Sequence, residues 1–544
     1  MNKPKSPSEL SMTAAKYVGH WLTIASAVFA LLGVHDSTHA ADAPLAPPPG
    51  SQIVALTPKP GSFTEPSIAI DPNHPENLVA AYQVNASIAY SRDAGRTWAT
   101  AEGTAPPNYK TSGDVSVAYD NQGHAFLCYI AFDKLGTENY WAHGATRNGI
   151  FVRRSLDGGK TWDKEASTVA AHNSDAGIPF EDKPYIVADT THSKFAGNLY
   201  VGWTQFTLAK SIMLFSRSTD MGKTWSKPIE ISTKEGLPRD DNGAVEGFVG
   251  AVGEDGTLYV AWCDISGVIL ATSKDGGRTF SKSRTAIPTA PTYFDPAYVF
   301  RGNGFPQIAI NPRTNELFVT WADFRNGDID VFSASSKDHG KHFSPAVRVN
   351  SDDIHNGHDQ FFQWLAVDPV DGSVNVIFCD RRSDPDNRNY SIVLARSTDN
   401  GSTFTNYAWQ TKASDPKDAF IGDYLGIAAH AGRVYGIWAR VAQPEEVPPE
   451  EPRPENKSRS TPDSPQASSQ ADGKKAPNPE GASNPNPNEN SAEKSGDQQK
   501  TSTKKRSPES EESEKSERKV EDLVKAKALF IEVGIADFPS GATH

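Results

Sequence analysis

The chain has 544 residues, a formal net charge of −13, 10% aromatic residues and three cysteines. That negative balance disfavours nucleic acid as a partner. Cys128, Cys263 and Cys379 sit in apolar, strand-like contexts without C-x-x-C spacing, which excludes a disulfide framework and a thiolate metal site.

At the N-terminus, Lys3, Lys5 and Lys16 precede an apolar run at 21–34, and small residues follow around Ala40. This is the pattern of a secretory signal peptide over 1–40. The run is shorter than the roughly 20 residues of a spanning helix. The mature chain is therefore expected to be secreted, extracellular or periplasmic, with no membrane span. A Pro-rich leader follows over 41–50.

From 51 to 442 the chain repeats one unit. Seven short apolar runs, at 66–71, 115–120, 184–189, 247–252, 306–311, 363–368 and 424–429, contain small residues that suit strands crowded round a channel. After each comes a second run ending on an aromatic: Tyr82, Tyr129, Trp203, Trp262, Trp321, Phe378 and Trp438. Side chains placed alike in every unit are expected to plug the space between neighbours rather than to form a sugar-stacking belt. Six units then carry S-x-D-x-G-x-[TH]-[WF], as in Ser155-Leu-Asp-Gly-Gly-Lys-Thr-Trp162. The other copies begin at Ser91, Ser218, Ser273, Ser336 and Ser397, at intervals of about 55 to 64 residues. The Asp bonds backbone N–H groups ahead of it, the Gly takes φ > 0, and the aromatic restarts a strand, so the motif reads as a self-bonded hairpin turn.

The seventh unit lacks the motif. Residues 443–522 are dominated by Pro, Glu, Ser, Lys, Asn and Gln, which cannot bury enough surface to offset their ordering entropy, so a disordered low-complexity insertion is expected. A strand-like pattern returns in 523–538, ahead of a tail at 539–544. Residues 529–535 then read as the third strand of the last unit and 52–57 as its fourth, closing a ring and removing open sheet edges. The fold class is all-β: a single seven-bladed β-propeller, with six blades as the alternative, carrying a long disordered insertion.

If the turns mark one face, function belongs on the other. Glu65, Asp114, Glu181, Asp182, Glu246 and Asp423 lie just before the first strands. Asp264, Asp323 with Arg325, Asp380 with Arg381 and Arg382, and Arg440 follow the second strands. Convergent carboxylates and arginine forks suit a polyhydroxylated ligand. Asp182, Glu246 and Asp423 are the acid/base candidates. Glu65, Asp114, Asp323, Arg325, Asp380, Arg382 and Arg440 are the substrate-binding ones. His355 and His358, three residues apart among aspartates on the loop into the sixth blade, are the candidates for a divalent metal and for a metal-dependent lyase. No cofactor is expected, and the protein is expected to be a monomer.

The repeated motif resembles the Asp-box, or BNR repeat, of sialidases and related β-propellers, with six copies spread over most of 51–442. The resemblance implies a sialidase-like propeller whose motif joins the third and fourth strands away from the active site. It also implies a channel mouth that binds glycan and hydrolyses it, as an exo-sialidase or related glycoside hydrolase. Sialidases clamp the substrate carboxylate with three arginines, and use a Tyr nucleophile polarised by a Glu and an Asp acid/base. Glu246, in Val245-Glu-Gly-Phe-Val249, resembles that glutamate; Tyr424 then stands as nucleophile and Arg325, Arg382 and Arg440 as clamps. The chain departs from the pattern at Phe63-Thr-Glu-Pro66, where Thr64 replaces the first arginine, and at Trp262-Cys-Asp264, where a second is expected. The alternative function is a non-catalytic carbohydrate- or protein-binding scaffold.

Overall fold

The computed structural model describes residues 44–83, 85–103, 108–137, 139–173, 179–289, 293–294, 296, 299, 302–410, 413–417, 419–447 and 528–539. The signal peptide expected over 1–40, and the expected disordered insertion from residue 448 onward, lie outside the described residues. No described helix is long and apolar enough to cross a membrane.

The repeated apolar runs form seven four-stranded antiparallel sheets. Blade 1 comprises Thr64–Ile70, Leu78–Gln83, Ser87–Ser91 and Ala99–Thr100. Blade 2 comprises Thr111–Tyr119, Ala125–Phe132, Asn148–Ser155 and Ser167–His172. Blade 3 follows with Phe180–Ala188, Leu199–Phe206, Ser211–Ser218 and Ile229–Glu230. Blade 4 is Glu246–Val252, Leu258–Asp264, Gly267–Ser273 and Arg284–Ile287. Blade 5 is Gln307–Ile310, Leu317–Asp323, Asp330–Ser336 and Val347–Arg348. Blade 6 is Gln360–Val367, Val374–Asp380, Ser391–Ser397 and Thr405–Ala408.

Blade 7 is assembled from both ends of the chain. Gly426–His430 pairs with Arg433–Val441, which pairs with Leu529–Asp537, which pairs with Gln52–Ala55. The intervening segment thus interrupts the last blade between its second and third strands. Ala442 N donates to Ala528 O at 2.8 Å, holding the two edges of the interruption together. The Pro-rich leader takes part as well: Ala408 N donates to Ala46 O at 3.0 Å and Asp537 N to Pro49 O at 2.8 Å.

The core lies between blades. One cluster joins Ile68, Leu78 and Tyr82 of blade 1 to Tyr435, Ile437, Ile531 and Val533 of blade 7, and equivalent clusters occupy the other blade interfaces. Trp203, Trp262, Trp321 and Trp438 are at most 1% exposed, so the second-strand aromatics are plugs. Three of these indoles are satisfied internally: Trp203 Nε1 donates to Glu181 at 2.5 Å, Trp321 Nε1 to Asp323 at 2.9 Å and Trp438 Nε1 to Glu532 at 3.2 Å.

All six motif copies make the same turn between third and fourth strands. The Ser hydroxyl donates to the Asp carboxylate at 2.7–2.9 Å and accepts from the Gly N–H at 2.8–2.9 Å. The Asp also accepts from the backbone N–H four residues on, for example Thr279 N at 2.9 Å from Asp275. Burial raises the Asp275 pKa, but the bonds from Thr279, Ser273 and Arg278 outweigh it and hold the carboxyl at about 2. Asp93, Asp157, Asp220, Asp338 and Asp399 are lowered too. A depressed folded-state pKa gives stability that is present above the unfolded value and lost as pH falls through the folded one. The urea midpoint should therefore fall between about pH 4 and pH 2. Asp275→Asn should cost roughly 1 kcal/mol at pH 7 yet converge on the wild type near pH 2; parallel urea titrations at both pH values check this.

The motif glycines also dock each turn on the preceding blade. A Cβ at Gly159, where φ is 101°, would lie 2.1 Å from Val79 Cγ1 of blade 1. Gly159→Ala should cost about 1–2 kcal/mol for the dihedral and a further 1–3 for overpacking. Gly144 has φ 91° but nothing within 4 Å, so Gly144→Ala carries only the first cost. Melting temperatures of the pair measure the difference.

Candidate functional site

The starts of the inner strands ring the end of the channel away from the motif turns, and five of them are bent there. Register shifts at Thr64/Ser67, Gly113/Ser116, Asp182/Tyr185, Glu246/Val249 and Phe361/Trp364 mark bulges at one level of blades 1, 2, 3, 4 and 6. Within them Glu65 (φ 52°), Asp114 (46°), Lys183 (46°), Gly247 (81°) and Phe362 (56°) take left-handed backbone. For the four that are not glycine this costs roughly 1–2 kcal/mol each. Strain of this kind persists only where surrounding contacts over-determine it, and it gathers at functional sites.

All seven blades contribute to the pocket at this mouth, whose lining includes Pro66, Val115, Lys183, Gly247, Phe305, Trp364 and Tyr424. Aromatic rings contribute to its lining. Tyr185 of blade 3 lies 5.8 Å from Trp364 of blade 6, which lies 5.6 Å from Tyr424 (ring centroids). The Lys183 ammonium reaches across the channel to 4.0 Å from the Tyr424 ring and 4.8 Å from the Phe305 ring, a doubled cation–π contact.

Carboxylates stand next to this lining rather than in it. Asp182, Asp240 and Glu246 are buried, and their oxygens lie within 4.8 Å of one another. Asp182 and Glu246 sit at the bulges of blades 3 and 4. Asp240 comes from the loop joining these blades, where Trp141 Nε1 donates to its Oδ2 at 3.1 Å and its own N–H donates to Asn139 O at 2.8 Å. Glu65, Asp114 and Asp423 complete the ring. Asp114 Oδ2 accepts from Lys183 N at 3.4 Å, and the Asp423 carbonyl accepts from Asn303 Nδ2 at 3.1 Å. Burial, then the charges of Glu65, Asp114, Asp423 and Asp182, push the Tyr424 phenol well above its ordinary pKa. The Tyr424 side chain is itself buried at 7% exposure and lines the pocket.

The structure thus brings Glu65, Asp114, Asp182, Glu246, Asp423 and Tyr424 to one mouth. The arginines expected as clamps are elsewhere, each held by carboxylates toward the outer strands. Arg325 Nε donates to Asp323 at 2.8 Å, and its guanidinium lies 4.4 Å from the Phe332 ring. Arg382 donates to Asp380 at 2.7 Å, Ser351 at 2.9 Å and Asn406 at 3.0 Å, with its side chain 8% exposed. Arg440 donates to Glu532 at 2.6 Å and Glu446 at 2.8 Å. Their partners, Asp323 and Asp380 included, are fastenings within the blades. Glu181 is likewise occupied, by Trp203 Nε1 at 2.5 Å and Gln205 Nε2 at 2.8 Å.

Asp240 and Lys183 are the residues of this mouth that sequence reasoning missed. Lys183 stood in plain view between Asp182 and Pro184, but a lysine gives no signal of which way it reaches. Asp240 lies six residues before Glu246 in a polar loop, outside the positions aligned with the strand starts. Among the described residues, Asp182, Asp240 and Glu246 are also the one group of three carboxylate, thiolate or imidazole residues with donor atoms this close. Their oxygens would suit a hard divalent cation. His355 and His358 are not in such a group, and His355 Nδ1 is engaged by the Asn326 carbonyl.

No family model matches this chain, and no curated protein matches it. Among solved structures it is similar to a Hadza microbial sialidase at 16% identity, covering 66% of this chain and 70% of that one, with a TM-score of 0.42. It is also similar to the GH93 α-L-arabinofuranosidase of Fusarium graminearum at 13% identity, covering 61% and 90%, with a TM-score of 0.39. An ulvan lyase is similar at 12% identity over 71% and 93%, with a TM-score of 0.42.

Proposed function

We propose that this propeller is an exported glycoside hydrolase that binds glycan at the channel mouth and cleaves it there. The observation that carries the reading is the buried trio Asp182, Asp240 and Glu246 next to a pocket whose lining includes aromatic rings. Two carboxyls about 5–5.5 Å apart are the requirement of a retaining glycosidase, and facing oxygens of the trio that all lie within 4.8 Å of one another fit that class better than the wider spacing of an inverting one. One of Asp182 and Glu246 protonates the glycosidic oxygen while the other attacks the anomeric carbon; a water then releases the sugar with the first carboxylate as base. Asp240, fixed by Trp141, orients the pair. Trp364, which is half-buried, offers a face for a sugar ring, and Glu65, Asp114 and Asp423 offer acceptors for hydroxyls.

The test is a glycan array followed by hydrolysis of every bound glycan, with the anomer of the first product read by NMR. Turnover with retained configuration is expected. Binding without turnover on any glycan would leave the non-catalytic scaffold, and an inverted product would sink the assignment of the pair.

A further inference from the structure

A second concave surface lies on the opposite face, between the turns of blades 4 and 5, where a groove encloses about 330 Å³. That is the lower end of the size range of small-molecule sites. Its rim carries Lys274, Lys282 and Arg284 of blade 4 and Lys341 of the blade 5 turn, all exposed, against a single lining carboxylate, Asp255. In a chain whose net charge is −13, four cations to one anion is a local reversal of sign. The Asp255 oxygens are engaged by Thr257 N at 2.9 Å and Thr257 Oγ1 at 2.8 Å. The nearby turn aspartates, Asp275 and Asp338, spend theirs on their own turns. Arg284 is structural in part: it donates to the carbonyls of Gly340 and Lys341, pinning one turn to the other. That leaves Lys274, Lys282 and Lys341 round a preformed hollow, none of them within ion-pair distance of a carboxylate among the described residues.

We propose that this groove binds the sulfate or phosphate esters of an anionic polysaccharide. Three ammonium groups spaced round a hollow match repeated ester anions as point charges. Of the two rings in the lining, Tyr259 is 1% exposed and its hydroxyl is paired with Nδ1 of the other, His339, at 3.0 Å, so the groove offers at most one imidazole for base stacking, and a nucleic acid strand is the poorer fit. The site lies away from the channel mouth and does not depend on the reaction proposed there.

The test compares the full chain with the Lys274→Ala/Lys282→Ala/Lys341→Ala variant on surfaces of dextran sulfate, phosphomannan and neutral dextran over a range of salt. The wild type should bind at least one charged polymer and not neutral dextran, with affinity falling as salt rises. The tighter of the two distinguishes sulfate from phosphate. The variant should bind at least tenfold more weakly with an unchanged circular dichroism spectrum. Equal binding by the variant, or wild-type binding no stronger than to neutral dextran, overturns the proposal, as does tighter binding to single-stranded DNA than to either charged polymer.

Discussion

Truncation after Gln443 should prevent folding, whereas replacing residues 448–527 with a short Gly-Ser linker should leave the protein folded and its melting temperature nearly unchanged or slightly raised. The truncation removes Leu529–Asp537, the third strand of blade 7, with Leu529, Ile531, Val533, Ile535 and Ala536 buried. Fully burying an aliphatic side chain is worth about 1.5–3 kcal/mol, so four of the five already account for roughly 6–12 kcal/mol. That is comparable with the whole stability of an ordinary protein, about 5–15 kcal/mol. The loss also strips Gln52–Ala55 of its partner strand and deprives Ile68, Leu78 and Tyr82 of blade 1 of their neighbours. The linker variant keeps all of these contacts. Closure entropy grows only by about 0.6 kcal/mol per doubling of length, so shortening the segment returns little. Thermal melts of the two variants decide the matter: equal melting would mean that Leu529–Asp537 does not close the ring.

Glu246→Gln and Asp182→Asn should each lower kcat by about 10²–10⁴-fold, the range for loss of a general acid or base, with much smaller changes in KM. Both carboxyls are buried within one trio, so each substitution keeps the shape while removing the titrating oxygen. Asp240→Asn should cost less and should alter the pH–rate profile, because Asp240 acts through its neighbours and is anchored by Trp141. Arg382→Ala separates this assignment from a sialidase-type clamp. Arg382 is bound to Asp380, Ser351 and Asn406, so the variant should lose stability while a surviving folded fraction keeps its KM. A large rise in KM with unaltered melting would instead make Arg382 a substrate contact. Steady-state kinetics beside thermal melts distinguish the outcomes.

The sequence by itself determined the propeller. Six turn motifs and seven pairs of apolar runs repeat in register, and an element that recurs every blade needs the same neighbours each time. The same alignment placed 529–535 and 52–57 in blade 7, because a blade short of two strands leaves open edges that only two other strand-like stretches in the chain can fill. The plugging role of Trp203, Trp262, Trp321 and Trp438 was legible for the same reason.

The site was legible only in part. The carboxylates at the strand starts were found because one alignment column maps to one level of the channel. The bulges and left-handed residues recur in five blades, but which carboxylates meet depends on loops that cross from blade to blade, and these do not repeat. Asp240 joins Asp182 and Glu246 only because its loop folds over Trp141. Lys183 belongs with Tyr424 and Phe305 only because the ring brings blades 3, 5 and 7 round one axis. Arg325, Arg382 and Arg440 looked alike in sequence to substrate clamps, since a guanidinium beside an Asp can serve a ligand or fasten a strand. Only tertiary packing gives their partners: Arg382 and Arg440 are largely buried beside carboxylates, as a buried guanidinium requires, whereas Arg325 is exposed and paired with the buried Asp323.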